Sequence, residues 1–298
     1  MQAATATRPA VPPASIRASR KPEWLRRILR SRLALPAMVV LFGVVVCGVA
    51  ATVVAPYDPY FQDYASVLEP PSRAHLMGTD DIGRDVLSRI IFGARVSVSV
   101  GLVAVALAML IGVPLGLVAA YGRGWLDDII MRVMDAIASF PALVLALGIT
   151  AALRPGLLNV MVAIGVVYTP MFGRLARSEA LSLREREFIS AARVVGAGPM
   201  RVIRLHIWPN ATAPIIVLAS LRVASAIITE AGLSFLGAGV PPPTPSWGAM
   251  LRASYQYTET APWLAIFPGV AIFLTVLATN IVGDALRSAL DPRMRGRD

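Results

Sequence analysis

Apolar residues in this chain come in long uninterrupted blocks, not in the alternating or three-and-four patterns of soluble domains. Six blocks carry them: 34–55, 96–121, 133–153, 156–173, 211–236 and 261–283. Crossing ~30 Å of hydrocarbon takes about 20 apolar residues as helix, and only helices or closed barrels satisfy every backbone polar group there. The blocks have helix length, so the pattern predicts an all-α polytopic membrane protein with six transmembrane helices. The second block is the cleanest, with no charge between Arg95 and Arg123, while the third and fourth are shorter and carry Pro141 and Pro170. The first apolar run, 33–57, has 25 uncharged residues. A signal-peptide core has roughly 7–15, so this run reads as an uncleaved anchor.

Composition agrees with that reading. The chain has 298 residues, 56% hydrophobic and 15% charged, with a mean hydropathy of +0.65. Soluble domains run at about 45–50% apolar and about 25% charged, so a water-soluble globular fold is excluded. A net charge of +10 would suggest nucleic acid in a soluble protein, but here the basic residues sit in loops and no nucleic-acid partner is expected. With the N terminus inside, inner segments hold 21 Lys or Arg and outer segments hold 6. That bias places both termini in the cytoplasm. The chain then divides into a basic cytoplasmic tail (1–32), a first anchor (33–57), an extracytoplasmic loop (58–95), a membrane domain (96–285) with a long inner loop at about 178–210, and a cytoplasmic C-terminal tail (286–298).

Enzyme signatures are missing. The single lysine, Lys21, follows Arg20, whereas a phosphate-binding P-loop needs Gly-Lys-Ser/Thr. His75 and His206 fall in loops without metal-ligand spacing, and no histidine lies in an apolar block beside a serine. Cys47 is the only cysteine, so no internal disulfide forms. Catalysis, a resident cofactor and a metal are not expected of this chain.

The inner loop is the most informative stretch. Residues 183–195 read as an amphipathic helix with Phe188, Ala191, Ala192 and Val195 on one face. Gly196 stands where a left-handed C-terminal cap belongs, and Pro199 opens a second helix, 199–208, that ends at Pro209-Asn210. Two readings fit this elbow. It inserts into a groove on another protein, with Ala191-Ala192 permitting close approach and Phe188 as anchor, or it lies as a connector against lipid headgroups.

Ala191-Ala192-(x3)-Gly196-(x9)-His206-Ile207-Trp208-Pro209 resembles the EAA loop of bacterial ABC-importer permeases, in which Glu-Ala-Ala is followed by Gly and then Ile-x-Leu-Pro. Ala191, Ala192, Gly196 and Pro209 match; Ser190, His206 and Trp208 depart. Two further stretches are similar to the C-type permease of dipeptide, oligopeptide and nickel importers. One is Met77-Gly78-Thr79-Asp80-Asp81-Ile82-Gly83-Arg84-Asp85 continuing to Gly93-Ala94-Arg95. The other is Thr229-Glu230-Ala231-Gly232-Leu233-Ser234-Phe235-Leu236-Gly237-Ala238-Gly239 with Pro242-Pro243-Thr244-Pro245-Ser246-Trp247-Gly248.

The resemblance implies a type I ABC-importer permease fold in the bacterial cytoplasmic membrane. It implies three protein partners: a second homologous permease, cytoplasmic ATPases that hold the ATP and Mg, and an extracytoplasmic substrate-binding protein. It also implies that Glu187, Phe188, Ala191, Ala192, Gly196, Pro199 and Pro209 couple this chain to the ATPases, with Glu187 standing one turn before the position of the family's glutamate.

Charges within spans are costly and by default functional. Arg222 and Glu230 lie in the fifth block, about 12 Å apart by helical rise. Each either lines a translocation path or serves locally, Glu230 as an ion-pair or helix-end charge. Asp135 and Asp284 read as interfacial. Two rival classes remain: a proton-coupled carrier titrating Glu230, Asp135 or Asp284, and a receptor-like scaffold that transports nothing.

Overall fold

A computed structural model of the chain describes residues 33–122 and 124–290. The tail 1–32 and residues 291–298 of the C-terminal tail lie outside the described residues. Among the described residues eleven α-helices follow one another: α1 (Ala34–Val49), α2 (Ala51–Val54), α3 (Val86–Gly122), α4 (Trp125–Ala138), α5 (Ala142–Leu153), α6 (Leu157–Arg184), α7 (Glu187–Val194), α8 (Pro199–Val202), α9 (Trp208–Phe235), α10 (Trp247–Ser254) and α11 (Trp263–Leu290). A π-turn, Ile203–Ile207, joins α8 to α9. Among the described residues the only β-pairing is an isolated bridge between Thr79 and Asp85.

Helix α3 is the central post. Across its C-terminal half it packs closely on α6, where a Cβ on Gly112 would meet the Thr169 carbonyl oxygen at 2.5 Å and the Phe172 Cβ at 2.9 Å. Small residues let helix backbones approach in a membrane, where packing and not hydrophobic exclusion drives association. On its other sides α3 meets α1 and α9, and α9 in turn packs on α11. The main core runs along α3, α6 and the start of α9, with Ala104, Ala108, Ala163, Phe172 and Ile215 fully enclosed.

Several helix boundaries differ from the sequence expectation. Helix α3 starts at Val86, ten residues before the apolar block, because the Asp85 carboxylate caps it by accepting from the Ser88 backbone N–H at 2.8 Å. The third expected span is broken: α4 and α5 meet at 93°. Proline there has no N–H to donate and disfavours helix at the residue before it, so Ser139-Phe140-Pro141 turns the chain. Pro170, by contrast, lies inside a continuous α6 that runs eleven residues past its expected end. Pro209 does not separate two helices either. The π-turn just before it supplies the extra residue that keeps a proline ring clear of the preceding turn, so the helical path runs from Pro199 to Phe235. Among the described residues four helical segments are long and apolar enough to cross a membrane, and the α4–α5 pair makes a fifth if the two bent helices form one span. The first apolar helix, α1, has 16 residues, about 24 Å of rise, and a second short turn, α2, continues it after a break at Ala50.

Candidate functional site

The elbow forms where the sequence breaks helicity. Helix α7 ends in a Schellman arrangement: Gly196 has φ +87°, its N–H donates to the Arg193 carbonyl, and the Ala197 N–H donates to the Ala192 carbonyl, both at 3.0 Å. Open space surrounds Gly196, so its backbone conformation, and not crowding, asks for glycine. Pro199 then occupies the first turn of α8.

The face that α7 turns to its own protein differs from the expected one. Ile189 and Ala192 are buried, and Ile189, Val202 and Ile207 belong to the same core as Ala176 and Ala180 of α6. Phe188 is 45% exposed, Val194 87%, Val195 84% and Met200 74%. Ala191, Glu187 and Pro199 are exposed as well. Helical rotation explains the division: Ile189 and Ala192 are three apart, whereas Phe188, Ala191 and Val195 follow the neighbouring stripe. The elbow is therefore pinned from behind by Ile189 and offers an apolar outer surface. Ala192, expected on that surface, is enclosed by its own chain. Phe188 leans on His206, ring centroids 6.3 Å apart, and Pro209 sits where the elbow enters α9.

Behind the elbow, α6 holds the end of α3 and both ends of α4. The Arg184 guanidinium donates to the Ala120 carbonyl and lies 5.1 Å above the Tyr121 ring. Arg177 meets Asp127 with both prongs, Nε to Oδ1 at 2.7 Å and Nη2 to Oδ2 at 2.6 Å. Arg174 Nη2 lies 3.6 Å from Asp135 Oδ1. None of these partners was read from the sequence. The one signal for them is that acids of the 122–138 stretch and arginines of 174–184 flank blocks joined by a short turn.

Of the two intramembrane charges, Glu230 is fully buried and accepts from Ser97 Oγ on α3 at 2.9 Å and from Ser234 Oγ at 2.7 Å. Its carboxylate joins α3 to α9. Arg222 is half-buried, and its enclosed Nε finds no hydrogen-bond partner among the described residues. The two do not meet. Asp135 and Asp284 are both exposed.

The two outer motifs meet each other. Trp247 is buried, its indole N–H donates to the Ile90 carbonyl at 3.0 Å, and Gly93 leaves room for its ring. Asp80 accepts from the Ile82 and Arg84 backbone N–H groups at 3.1 and 2.9 Å and from Arg84 Nε at 2.7 Å. Gly83 (φ +78°) closes that turn against the Asp63 backbone, leaving no space for a Cβ. Arg89, buried, reaches the Pro59 carbonyl at 3.1 Å. The segment between α2 and α3 is thus a compact cap locked onto the post.

Comparison with known proteins agrees with this architecture. Residues 112–296 match the family described as binding-protein-dependent transport system inner membrane component. Residues 23–71 match the N-terminal TM domain of oligopeptide transport permease C. The dipeptide transport system permease protein DppC of Alkalihalophilus pseudofirmus is 42% identical over 273 residues, covering 92% of this chain and 90% of that one. The glutathione transport system permease protein GsiD of Pectobacterium atrosepticum is 42% identical over 296 residues, 99% of this chain and 98% of its own. The di/tripeptide permease DppC of Pseudomonas aeruginosa is 41% identical over 293 residues, 96% and 97%. A chain of the inward-facing MetNI methionine ABC transporter shares the fold, with a TM-score of 0.57 at 19% identity, covering 68% of this chain and 96% of that one. The outer motifs, the elbow and the helix order thus have one common explanation: the chain belongs to the binding-protein-dependent inner-membrane transport components, as a C-type permease of peptide ABC importers.

Proposed function

We propose that this chain moves di- and oligopeptides inward across a bacterial cytoplasmic membrane as one of two homologous permeases, with both termini cytoplasmic. An extracytoplasmic binding protein delivers the peptide. Cytoplasmic ATPases, which hold the ATP and Mg, dock on the elbow at Glu187–Pro209 and drive the permease pair between inward- and outward-open states. The chain itself makes and breaks no bonds and binds no cofactor.

One observation carries the coupling: the elbow is anchored by Ile189 and presents Phe188, Val194, Val195 and Met200 outward, away from the chain's own core. Contiguous exposed apolar surface marks an interaction site, and a rigid backing lets force on that surface reach α6 and α9. The peptide assignment rests on the relatives named for dipeptides, di/tripeptides and glutathione, itself a tripeptide. Glu230, enclosed between two serines, and exposed Asp135 and Asp284 give the proton-carrier alternative no support.

The test is purification from the native membrane with identification of what accompanies the chain. A second permease and ATPases are expected to co-purify. Phe188→Asp together with Val195→Asp should release the ATPases, since losing a central apolar anchor costs about 2 kcal/mol or more, roughly thirtyfold in affinity. Ala192 is unsuited to this test because it is buried in its own chain. A variant that keeps its ATPases refutes the docking surface, and a chain that transports peptides without ATP refutes the importer reading.

A further inference from the structure

Helix α4 is held unlike any other long helix here. Met134 is its only buried residue, and the end of its side chain rests on Gly173 of α6, where an added Cβ would displace it. Along one side of the helix, α3, α4 and α6 border an open apolar groove of about 250 Å³ lined by Leu115, Ile130, Val133, Ile137 and Val166 among others. Above it lies an open polar recess of about 400 Å³ containing Asp127, Asp128, Asp135, Arg174 and Arg177. An open groove on one side and an open recess on the other leave α4 room to tilt about Met134. Its first turn follows Gly122 and Gly124, the latter at φ +64°, and its last turn leads into the 93° break before α5.

The ties to α6 are unequal. The Arg177–Asp127 pair is close and bidentate, the strong form of a carboxylate contact. The Arg174–Asp135 pair is longer and more exposed. Arg177 precedes the end of α6 by seven residues, about 10 Å of helical rise, so it moves as one body with the start of the elbow. Arg184, at the α6 terminus, holds the end of α3 instead. The elbow thus grips both sides of the glycine turn, the post through Arg184 and the tilting helix through Arg177.

We infer that α4 is a lever: it pivots on Met134 over Gly173, Arg177 and Asp127 are its handle, and it carries elbow displacement to the broken span α4–α5. Arg177 and Asp127 are positioning residues for transport. This inference rests on the proposed docking of ATPases at the elbow. It predicts that breaking the pair leaves ATP hydrolysis running but disconnects it from peptide movement.

The experiment uses the whole importer, both permeases with ATPases and binding protein, reconstituted in proteoliposomes, with a dipeptide as cargo. ATP hydrolysed per peptide imported is measured for wild type, Asp127→Asn, Arg177→Lys and the charge-exchanged pair D127R/R177D. Hydrolysis in Asp127→Asn should stay within about twofold of wild type while import falls about tenfold, within the range of typical coupling free energies. Arg177→Lys, which keeps the charge and loses the fork, should fall between them, and the exchanged pair should regain most of the import. A normal ratio in Asp127→Asn overturns the lever. So does a parallel loss of hydrolysis and import in both Asp127→Asn and Arg177→Lys, because a merely structural pair lowers both rates without changing their ratio. A wild-type complex that imports no dipeptide overturns the proposed function instead, so the two failures are distinct.

Discussion

Replacing Gly112 by alanine tests the close contact on which the fold depends. The added Cβ would lie 2.5 Å from the Thr169 carbonyl oxygen, 2.9 Å from the Phe172 Cβ and 3.0 Å from the Gly173 nitrogen. Carbon-to-carbonyl-oxygen contacts settle at about 3.3–3.6 Å, so α3 and α6 must part by about 0.8 Å at this level. Two of the three opposing atoms are helix backbone and cannot swing aside. Gly116, one turn along, faces the Gly173 carbonyl still more closely, so the strain cannot be relieved by sliding toward it. A gap of 0.5–1 Å forfeits a quarter to a half of each dispersion contact across it, and overpacking of this kind costs about 1–3 kcal/mol. The helix-propensity gain of alanine over glycine offsets about 1 kcal/mol of this, so at about 2–4 °C per kcal/mol the melting midpoint should drop by up to about 8 °C. The assay is the monodisperse fraction of the detergent-purified chain after stepwise heating. Gly43→Ala and Gly148→Ala are the controls, since both glycines lie in helices with nothing within 4 Å of the new methyl. Alanine favours helix over glycine by about 0.8–1.0 kcal/mol, so these two should melt at or above wild type. If Gly112→Ala melts with the controls, the α3–α6 contact is not as close as argued and the reasoning fails.

Glu230→Leu should cost about 2 kcal/mol, because it deprives the Ser97 and Ser234 hydroxyls of a buried acceptor, whereas Glu230→Gln, which keeps an acceptor, should cost less than half of that; the same heating assay decides. Asp85→Ala removes the cap of α3, the 2.7 Å bond from Ser88 Oγ and the 3.0 Å contact with His75 Nδ1. It should destabilise the outer cap by about 1–2 kcal/mol, and limited proteolysis should then cut residues 56–85 at least about fivefold faster while the inner loop stays as resistant as wild type.

A locked cap and a pinned elbow lie at opposite ends of one post, α3. Trp247 and Glu230 fasten α9 and the segment after it to α3 near one end. Arg184 fastens α6 to α3 at the other. Between them lies the broken span, whose first helix, α4, has Met134 as its single buried residue.

Much of this was legible in the chain because it depends on local composition. Apolar block length made the helices and their order readable, and Gly196 was readable as a cap because a helix stop is written in its own residues. The quoted motifs carried the family, since each is contiguous. Other features needed the folded chain. Which face of α7 turns inward depends on how α6 is rotated, and that choice put Ile189 and Ala192 behind the elbow and left Phe188 in front. Pro141, Pro170 and Pro209 are the same residue in similar blocks, yet one breaks a span, one lies within a continuous helix and one is absorbed by a π-turn. Packing against neighbours decided among those outcomes. The pairs Arg177–Asp127, Arg184–Ala120 and Ser97–Glu230 join positions 50, 64 and 133 residues apart. Such contacts are set by the crossing angle and register of packed helices, quantities that no single stretch of sequence contains.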